Sequence, residues 1–495
     1  MMAQSSGQEP KQSNFFRRVV SQSGIYAVGS MLLKAAGVLL APIYLNPRYL
    51  LEVEFGTFAL LEVTGQLSIL VIGLGLHAAL MKFMADSNHD EDHDVIPFTV
   101  LLTIIGSSVA FCSLLYFAAP LIAGSLLGGA NRTAIFRLFL IYIAIKSTLI
   151  VPYTLMRFRE KAVLYVIASV SEIGVLVIAV YVLLVQQGMG LEGLVLSYII
   201  SSAVTVLILM PPALLGIRLK YSTRVARALV RFGFPLAIGG LAIPILHAGD
   251  RYIIEWLLDT GSVAVYTWGS RIASILNMIF VQSFNLAFMV IGLKSIGDGE
   301  GDFSLHRRTA RHFAAGASWC ALALAVLAGD ITRILGAGEV YFASTVLVYP
   351  LSLGYLIYGI HVIQINALYA RSKTVAIGSF VVLATVANII MNVLLIPVMG
   401  ISGAALATVA SYSLLALMTY FYSQRIVSID YDWFAVARCI GGSLLLFMLW
   451  WNLAPDSLIV RIAIVLVYAP VLLVLRVYSR AEVKTGMQVA RNLMR

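Results

Sequence analysis

Long apolar stretches separated by short polar segments recur along the whole chain. A helix needs about 20 mostly apolar residues to cross a hydrocarbon core. Stretches of that kind predict helices over residues 19–45, 55–84, 95–119, 135–157, 161–186, 191–217, 229–254, 262–293, 310–332, 345–369, 374–398, 401–424, 434–453 and 457–477. The connection between the third and fourth is the least sharply drawn, because Pro120 and the Gly128-Gly129 pair interrupt it. Backbone groups in lipid must bond to one another, and apolar runs of helical length do so within themselves. The pattern therefore predicts an all-α membrane protein with about 14 transmembrane helices.

Composition agrees. Of 495 residues, 60% are hydrophobic and 12% charged, where soluble domains run at about 45–50% and about 25%. The mean hydropathy is +0.92. Cys112, Cys320 and Cys439 each sit in or beside an apolar run, with no CxxC pair, so they read as small packing residues and not as a disulfide or zinc framework. There is no Walker loop, GxSxG or HExxH sequence, and the outer loops are too short to carry a catalytic acidic pair. The residues thus give no sign of an ATPase or hydrolase, of a cofactor or of a bound metal. Any transport would draw on a proton or sodium gradient, or on consumption of the cargo at the far side. Residues 1–18 are polar and basic, with no cleavable signal sequence expected.

The net charge of +10 reflects topology, not nucleic acid. With the N-terminus in the cytoplasm and the helices alternating, 25 of the 34 Lys and Arg residues fall on the cytoplasmic side, 6 on the opposite side and 3 inside helices. Both termini are therefore expected in the cytoplasm of a bacterium, and the chain in its inner membrane. The acidic loop 86–94 (DSNHDEDHD) reads as a solvated segment, with a divalent-ion site as the lesser alternative.

A repeat is also visible. Arg159-Glu160-Lys161 precedes the fifth predicted helix and Arg371-Ser372-Lys373 the eleventh; Met189-Gly190-Leu191-Glu192-Gly193 follows the fifth and Met399-Gly400-Ile401-Ser402-Gly403 the eleventh. The expected organisation is two six-helix lobes related by a parallel pseudo-two-fold, residues 1–222 and 223–430, followed by two further helices and a basic cytoplasmic tail in 431–495. Transporters built from such repeats bind cargo between them near the midplane.

Three bases fall inside predicted helices: Lys34, Lys146 and Arg271. Facing lipid they would cost roughly 8–10 kcal/mol together, so they are expected to face a wet interior. Lys34 shares a face with Ser23, Ala27, Ser30 and Gly37; Arg271 with Thr267, Ser270, Ser274 and Asn277; Lys146 with Tyr142 and Tyr153. The functional reading is a cationic cavity for an anionic substrate. The structural one is pairing, for example of Lys146 or Lys34 with Glu172. Glu172 itself reads as an ion carrier or as a counter-ion. Asp250 is a coupling candidate or half of an interfacial pair with Arg251, and His361 a coupling candidate, a cavity wall or a packing residue. His77 and His247 read as packing residues. Thr385, Asn388 and Asn392 form another polar stripe, suited to helix contacts or to a cavity wall.

Phe232-Gly233-Phe234-Pro235-Leu236, Asp250-Arg251-Tyr252-Ile253 and Val265-Tyr266-Thr267-Trp268-Gly269-Ser270-Arg271-Ile272-Ala273 resemble the opening of the second lobe of Wzx-type polysaccharide flippases, members of the multidrug/oligosaccharidyl-lipid/polysaccharide exporter superfamily. The resemblance extends over nearly the whole chain in helix count and duplication. It implies transfer of an undecaprenyl-pyrophosphate-linked oligosaccharide across the inner membrane through a cationic central cavity, with Lys34 and Arg271 in helices that carry basic residues in such proteins. It implies membrane lipid and this glycan as partners, a polysaccharide polymerase and glycosyltransferases as candidate ones, and no nucleic acid. A lipid II flippase, an ion-coupled multidrug exporter of the same superfamily and a non-transporting membrane scaffold are the rivals. The exporter is disfavoured because the first predicted helix carries Lys34 and no acid.

Overall fold

The computed structural model describes residues 37, 39–86, 93–297, 303–453 and 457–478. Among these residues the regular structure is helical, without strands. The first predicted helix, including Lys34, lies outside the described residues except at its end, where Ala41–Tyr44 forms one turn. The acidic loop falls outside them at 87–92; of its last residues, Asp94 lies 3.7 Å from Arg218 in an exposed ion pair.

The second to seventh predicted helices appear as α1 (Glu52–Gly73) with α2 (Leu76–Ala85), α3 (Ile96–Leu126), α4 (Thr133–Thr148) with α5 (Ile150–Phe158), α6 (Ala162–Val180), α7 (Gly190–Leu214), and α8 (Thr223–Ala248) with α9 (Asp250–Leu257). The others appear as α10 (Thr260–Leu276) with α11 (Ser283–Gly297), α12 (Ser304–Ile334), α13 (Thr345–Ala370), α14 (Thr374–Met399), α15 (Ile401–Ile426), α16 (Trp433–Leu453) and α17 (Leu458–Val474). Eleven of these segments are long and apolar enough to cross a membrane. The remaining two predicted spans are α10–α11, joined by a π-helical turn at Asn277–Gln282, and the 17-residue α17. Large apolar side chains such as Phe117, Leu121, Val375 and Val398 are exposed on these helices. This is a multi-pass membrane protein: lipid supplies the cover that water cannot.

The repeated sequences are repeated turns. Glu160 (φ 54°) and Ser372 (φ 53°) both adopt the left-handed conformation. Behind them, the Lys161 N–H donates to Met156 O and the Lys373 N–H to Leu368 O, each at 2.9 Å. That six-to-one closure satisfies the last carbonyls of a helix and reverses the chain. Gly190 (φ 54°) and Gly400 (φ 60°) then open α7 and α15 in the region that only glycine enters without strain. The Glu54 carboxylate accepts from the Leu51 N–H at 2.9 Å and from the Leu191 N–H at 3.4 Å, so it caps α1 and touches the first turn of α7.

The chain divides into two compact units, Met1–Pro244 and Ile245–Arg495. A boundary was expected at residue 222, before α8; the division lies near the end of α8. Most of α8 belongs to the first unit because it is fastened to α2. Lys82 Nζ stands 4.4 Å from the Phe232 ring centroid, and Gly233 meets the Leu74–Gly75 backbone directly.

In the first unit the core is aromatic, with Phe55, Phe58, Phe136 and Phe139 fully buried and Tyr198 lying 5.1 Å from Phe58 between ring centroids. In the second, α13 is the central helix and packs on α10, α12 and α15. Lipid gives no hydrophobic push between helices, so close packing and polar contacts hold them. The Trp268 Nε1–H donates to Thr332 Oγ1 at 3.0 Å, joining α10 to α12. Arg461 Nη1 reaches both oxygens of Asp330, at 2.9 and 2.8 Å, and ties α17 to α12 with both side chains 15% exposed. Hydrogen bonds to charged groups contribute about 1.5–3 kcal/mol. Arg461→Ala should therefore lower the thermal midpoint of the detergent-purified protein by a few degrees; an unchanged midpoint would show that α17 docks without the pair.

Candidate functional site

Lys146, Ile150, Tyr153 and Arg157 are spaced by four, three and four residues, which places them on one helical face. Leu149, between α4 and α5, keeps near-helical angles (φ −66°, ψ −15°), so the face continues across the join. All four residues line a cavity of about 330 Å³ in the first unit. Ile69, Leu70 and Gly73 at the end of α1 form a second wall, and Leu236, Ala237 and Gly240 of α8 a third. The remaining wall is the kink between α1 and α2. Leu74 (φ 46°) and Gly75 (φ 66°) are both left-handed there, and the kink brings His77 to the cavity. A Cβ on Gly75 would lie 2.1 Å from Gly233 O, so the two backbones are in direct contact.

The cavity is apolar in area and cationic in its polar groups, a combination suited to orienting one charged ligand. Lys146 Nζ donates to Glu172 Oε1 in a part-buried ion pair, and the Tyr153 hydroxyl donates to Glu172 Oε2 at 3.1 Å. Glu172 is 7% exposed, at the middle of α6. Tyr153 also packs edge-on against Tyr165, with ring centroids 5.0 Å apart. Arg157 and His77 are exposed, and their side chains make no hydrogen bond or ion pair among the described residues. Arg157 ends the predicted helix 135–157 and counts among the cations expected on the cytoplasmic side, and His77 reads as a packing residue. The sequence signal for Arg157 was its step of four from Tyr153; His77 is brought in by a kink that helical spacing does not reveal.

The other candidates sit elsewhere. Tyr142, one turn before Lys146 on α4, packs against Phe139 and Tyr198 and is not part of the cavity lining. In the second unit, Arg271 is half-buried on α10, on the side of Thr267 and Ser270, both buried. Asp250 is 4% exposed, and its Oδ2 accepts from the Tyr266 hydroxyl while Oδ1 has no hydrogen-bond partner. Asp250 makes no ion pair with Arg251 among the described residues; it opens α9, which packs on α14. On α14, Thr385, Asn388 and Asn392 are all buried, with Asn388 Nδ2 and Asn392 Oδ1 unpartnered. His361 is buried, and its Nδ1 meets Thr419 Oγ1 at 2.8 Å. His247 contacts the Tyr412 hydroxyl and lies among Tyr355, Tyr358 and Tyr412.

The family model described as polysaccharide biosynthesis protein matches residues 19–289. The chain belongs to that family. The matched stretch contains the three segments, between Phe232 and Ala273, that carried the resemblance to polysaccharide exporters. Comparison with individual curated proteins gives no match. Among solved structures, the lipid II flippase MurJ in an inward closed conformation is similar, with a TM-score of 0.76 at 14% identity over 95% of this chain and 99% of that one. An inward-facing multidrug resistance MATE family transporter of the MOP superfamily gives 0.66 at 13% identity, covering 80% and 94%. The Vibrio cholerae MATE transporter VcmN in the bent form gives 0.56 at 15%, covering 85% and 98%. At such identities the likeness is one of fold. This member of the polysaccharide biosynthesis protein family is therefore an all-helical membrane protein with the fold of those transporters.

Proposed function

We propose that the protein moves an undecaprenyl-diphosphate-linked oligosaccharide from the cytoplasmic to the periplasmic leaflet of a bacterial inner membrane, by alternating access and with both termini in the cytoplasm. The observation that carries this reading is the cavity in which Lys146, Arg157 and His77 surround one apolar-walled space, in a chain of a polysaccharide biosynthesis family. A diphosphate diester carries about two negative charges, for which Arg and Lys are the natural partners. Lys34 and Arg271 are proposed as further cations on the cargo's path. Glycosyltransferases would supply the cargo and a polysaccharide polymerase would consume it. Asp250 is the proposed coupling group, because it is a buried carboxylate with one oxygen free of hydrogen bonds. His361, held by Thr419, is assigned to packing.

A lipid II flippase would need the same diphosphate chemistry and differ only in the sugar. A lipophilic cation would enter against the charge of Lys146 and Arg157.

The test is thermal stabilisation of the detergent-purified protein. An undecaprenyl-diphosphate-linked sugar at about 100 times its Kd should add roughly 2.7 kcal/mol of apparent stability, and lipophilic cations none. The shift should shrink in Arg157→Ala. Any dependence on sodium or pH should be absent in Asp250→Asn. Stabilisation by the cations alone would overturn the assignment in favour of a drug exporter. Stabilisation by neither ligand would favour the scaffold reading.

A further inference from the structure

Both partners of Glu172 line the cavity, while Glu172 is not among the lining residues. It sits behind them on α6. We infer that Glu172 is the resident counter-anion of the cavity: it holds Lys146 and Tyr153 while the cavity is empty and contests them with the phosphate of the cargo, so that the cargo is released and not trapped. This rests on the diphosphate cargo proposed above.

The donor inventory makes the contest specific. A lysine ammonium has three donors and can touch two anions at once. A tyrosine hydroxyl has one proton to give, and Tyr153 gives it to Glu172 Oε2 at 3.1 Å. If a phosphate is to accept from Tyr153, Glu172 must give up that bond. The same groups cannot fully serve both anions, so loading the cargo means loosening Glu172.

Charge points the same way. With Lys146 paired to Glu172, Arg157 is the cation of this wall that has no ion-pair partner among the described residues. Against a cargo of about two negative charges, that leaves the loaded cavity short of positive charge. Removing Glu172 would balance it, at low local dielectric, and hold the cargo tightly. Tight binding of the ground state does not speed a cycle that must also let go. A carboxylate left with fewer partners in a buried place is costly, and that cost favours its return to Lys146 as the cargo departs. The other titratable groups that face Glu172 are Tyr165 on its own helix, Tyr142 on α4 and Tyr153 on α5. None of these carries a carboxylate that could replace Glu172 on Lys146, and Tyr165 is turned to the Tyr153 ring.

The test uses the full chain in lipid nanodiscs, with undecaprenyl-diphosphoryl-N-acetylglucosamine as the probe for binding, and vesicles for turnover. Glu172→Gln should bind the probe about tenfold more tightly and turn over more slowly at saturation. In a Lys146→Gln background the affinity gain should vanish. A merely structural role predicts the opposite: weaker binding together with slower turnover. Equal or weaker binding by Glu172→Gln, at an unchanged thermal midpoint, overturns the inference. Should that variant fail to fold, Glu172→Asp keeps the charge but shortens its reach to Lys146. It should tighten binding by a smaller factor, and looser binding there overturns the inference equally. Failure of the unaltered protein to bind the probe would instead sink the flippase reading itself, and this inference with it.

Discussion

Arg157→Gln is expected to lower translocation by roughly tenfold to hundredfold while leaving the fold intact. The side chain is exposed, lines the cavity and has no hydrogen-bond or ion-pair partner among the described residues, so its loss breaks no such contact in the empty protein. Substitutions of that kind usually change stability by less than about 0.5 kcal/mol. A hydrogen bond to a charged phosphate is worth about 1.5–3 kcal/mol, which converts to that range of rates if the contact matters during transfer. Lys146→Gln should be worse in a different way. It removes a cation from the cavity and also leaves Glu172 buried without its ion-pair partner, a loss that costs about 3–5 kcal/mol where such pairs are well buried. Flipping of a fluorescent lipid-linked sugar in reconstituted vesicles, set beside thermal unfolding, separates the two. Unaltered transport by a well-folded Arg157→Gln would remove this cavity from the cargo's path.

Gly75→Ala should be the most damaging small substitution in the first unit. An alanine there would have to hold φ near 66°, and its Cβ would lie 2.1 Å from the carbonyl oxygen of Gly233. The left-handed conformation costs about 1–2 kcal/mol, and forcing a methyl into a packed contact typically adds about 1–3 kcal/mol. Here the obstructing atom is backbone, so no rotamer change relieves it. A loss of about 3 kcal/mol or more is expected, seen as a large fall in thermal midpoint or as failure to accumulate. Gly233→Ala should share the steric part, since its Cβ would lie 2.4 Å from Leu74 O, without the left-handed penalty. Gly239→Ala, in the same helix with nothing within 4 Å of the added carbon, should be neutral or slightly stabilising. If Gly75→Ala and Gly239→Ala behave alike, the α1–α2 kink does not depend on this contact.

These expectations bear on how the sequence encodes the molecule. The Phe232-Gly233 pair stood out as part of a family-like segment; the structure gives it a physical task, because Gly233 admits the backbone of the kink and Phe232 lies under Lys82. The Arg-Glu-Lys and Arg-Ser-Lys repeats proved to be one turn used twice, with Glu160 and Ser372 at nearly the same φ. Both features were legible as patterns before their geometry was known, since turns and close approaches are dictated by a few neighbouring residues. The site was less legible. Lys146 was selected for its place in an apolar stretch, and pairing with Glu172 was one of two readings. Arg157 stands at the end of a predicted helix among the cations expected on the cytoplasmic side and His77 reads as packing, yet both line the cavity.

By itself the sequence determined the helical membrane class, the positions of the described spans and the recurring turn, while the cytoplasmic bias of the cations and the six-helix repeat are its expectations. Each depends on local quantities: the apolar length of a segment, the charge of the loop beside it, or the backbone a glycine permits. Tertiary structure alone decided which charges meet. Lys146 and Glu172 are 26 residues apart, and nothing in either segment specifies how its helix is rotated. Asp250, read as a coupling candidate or half of an interfacial pair with Arg251, is a buried partner of Tyr266 because α9 packs against α14. Helix rotation and kinks set side-chain directions, and they are fixed by packing between distant segments, so the chemistry of the cavity emerges only when the helices are assembled.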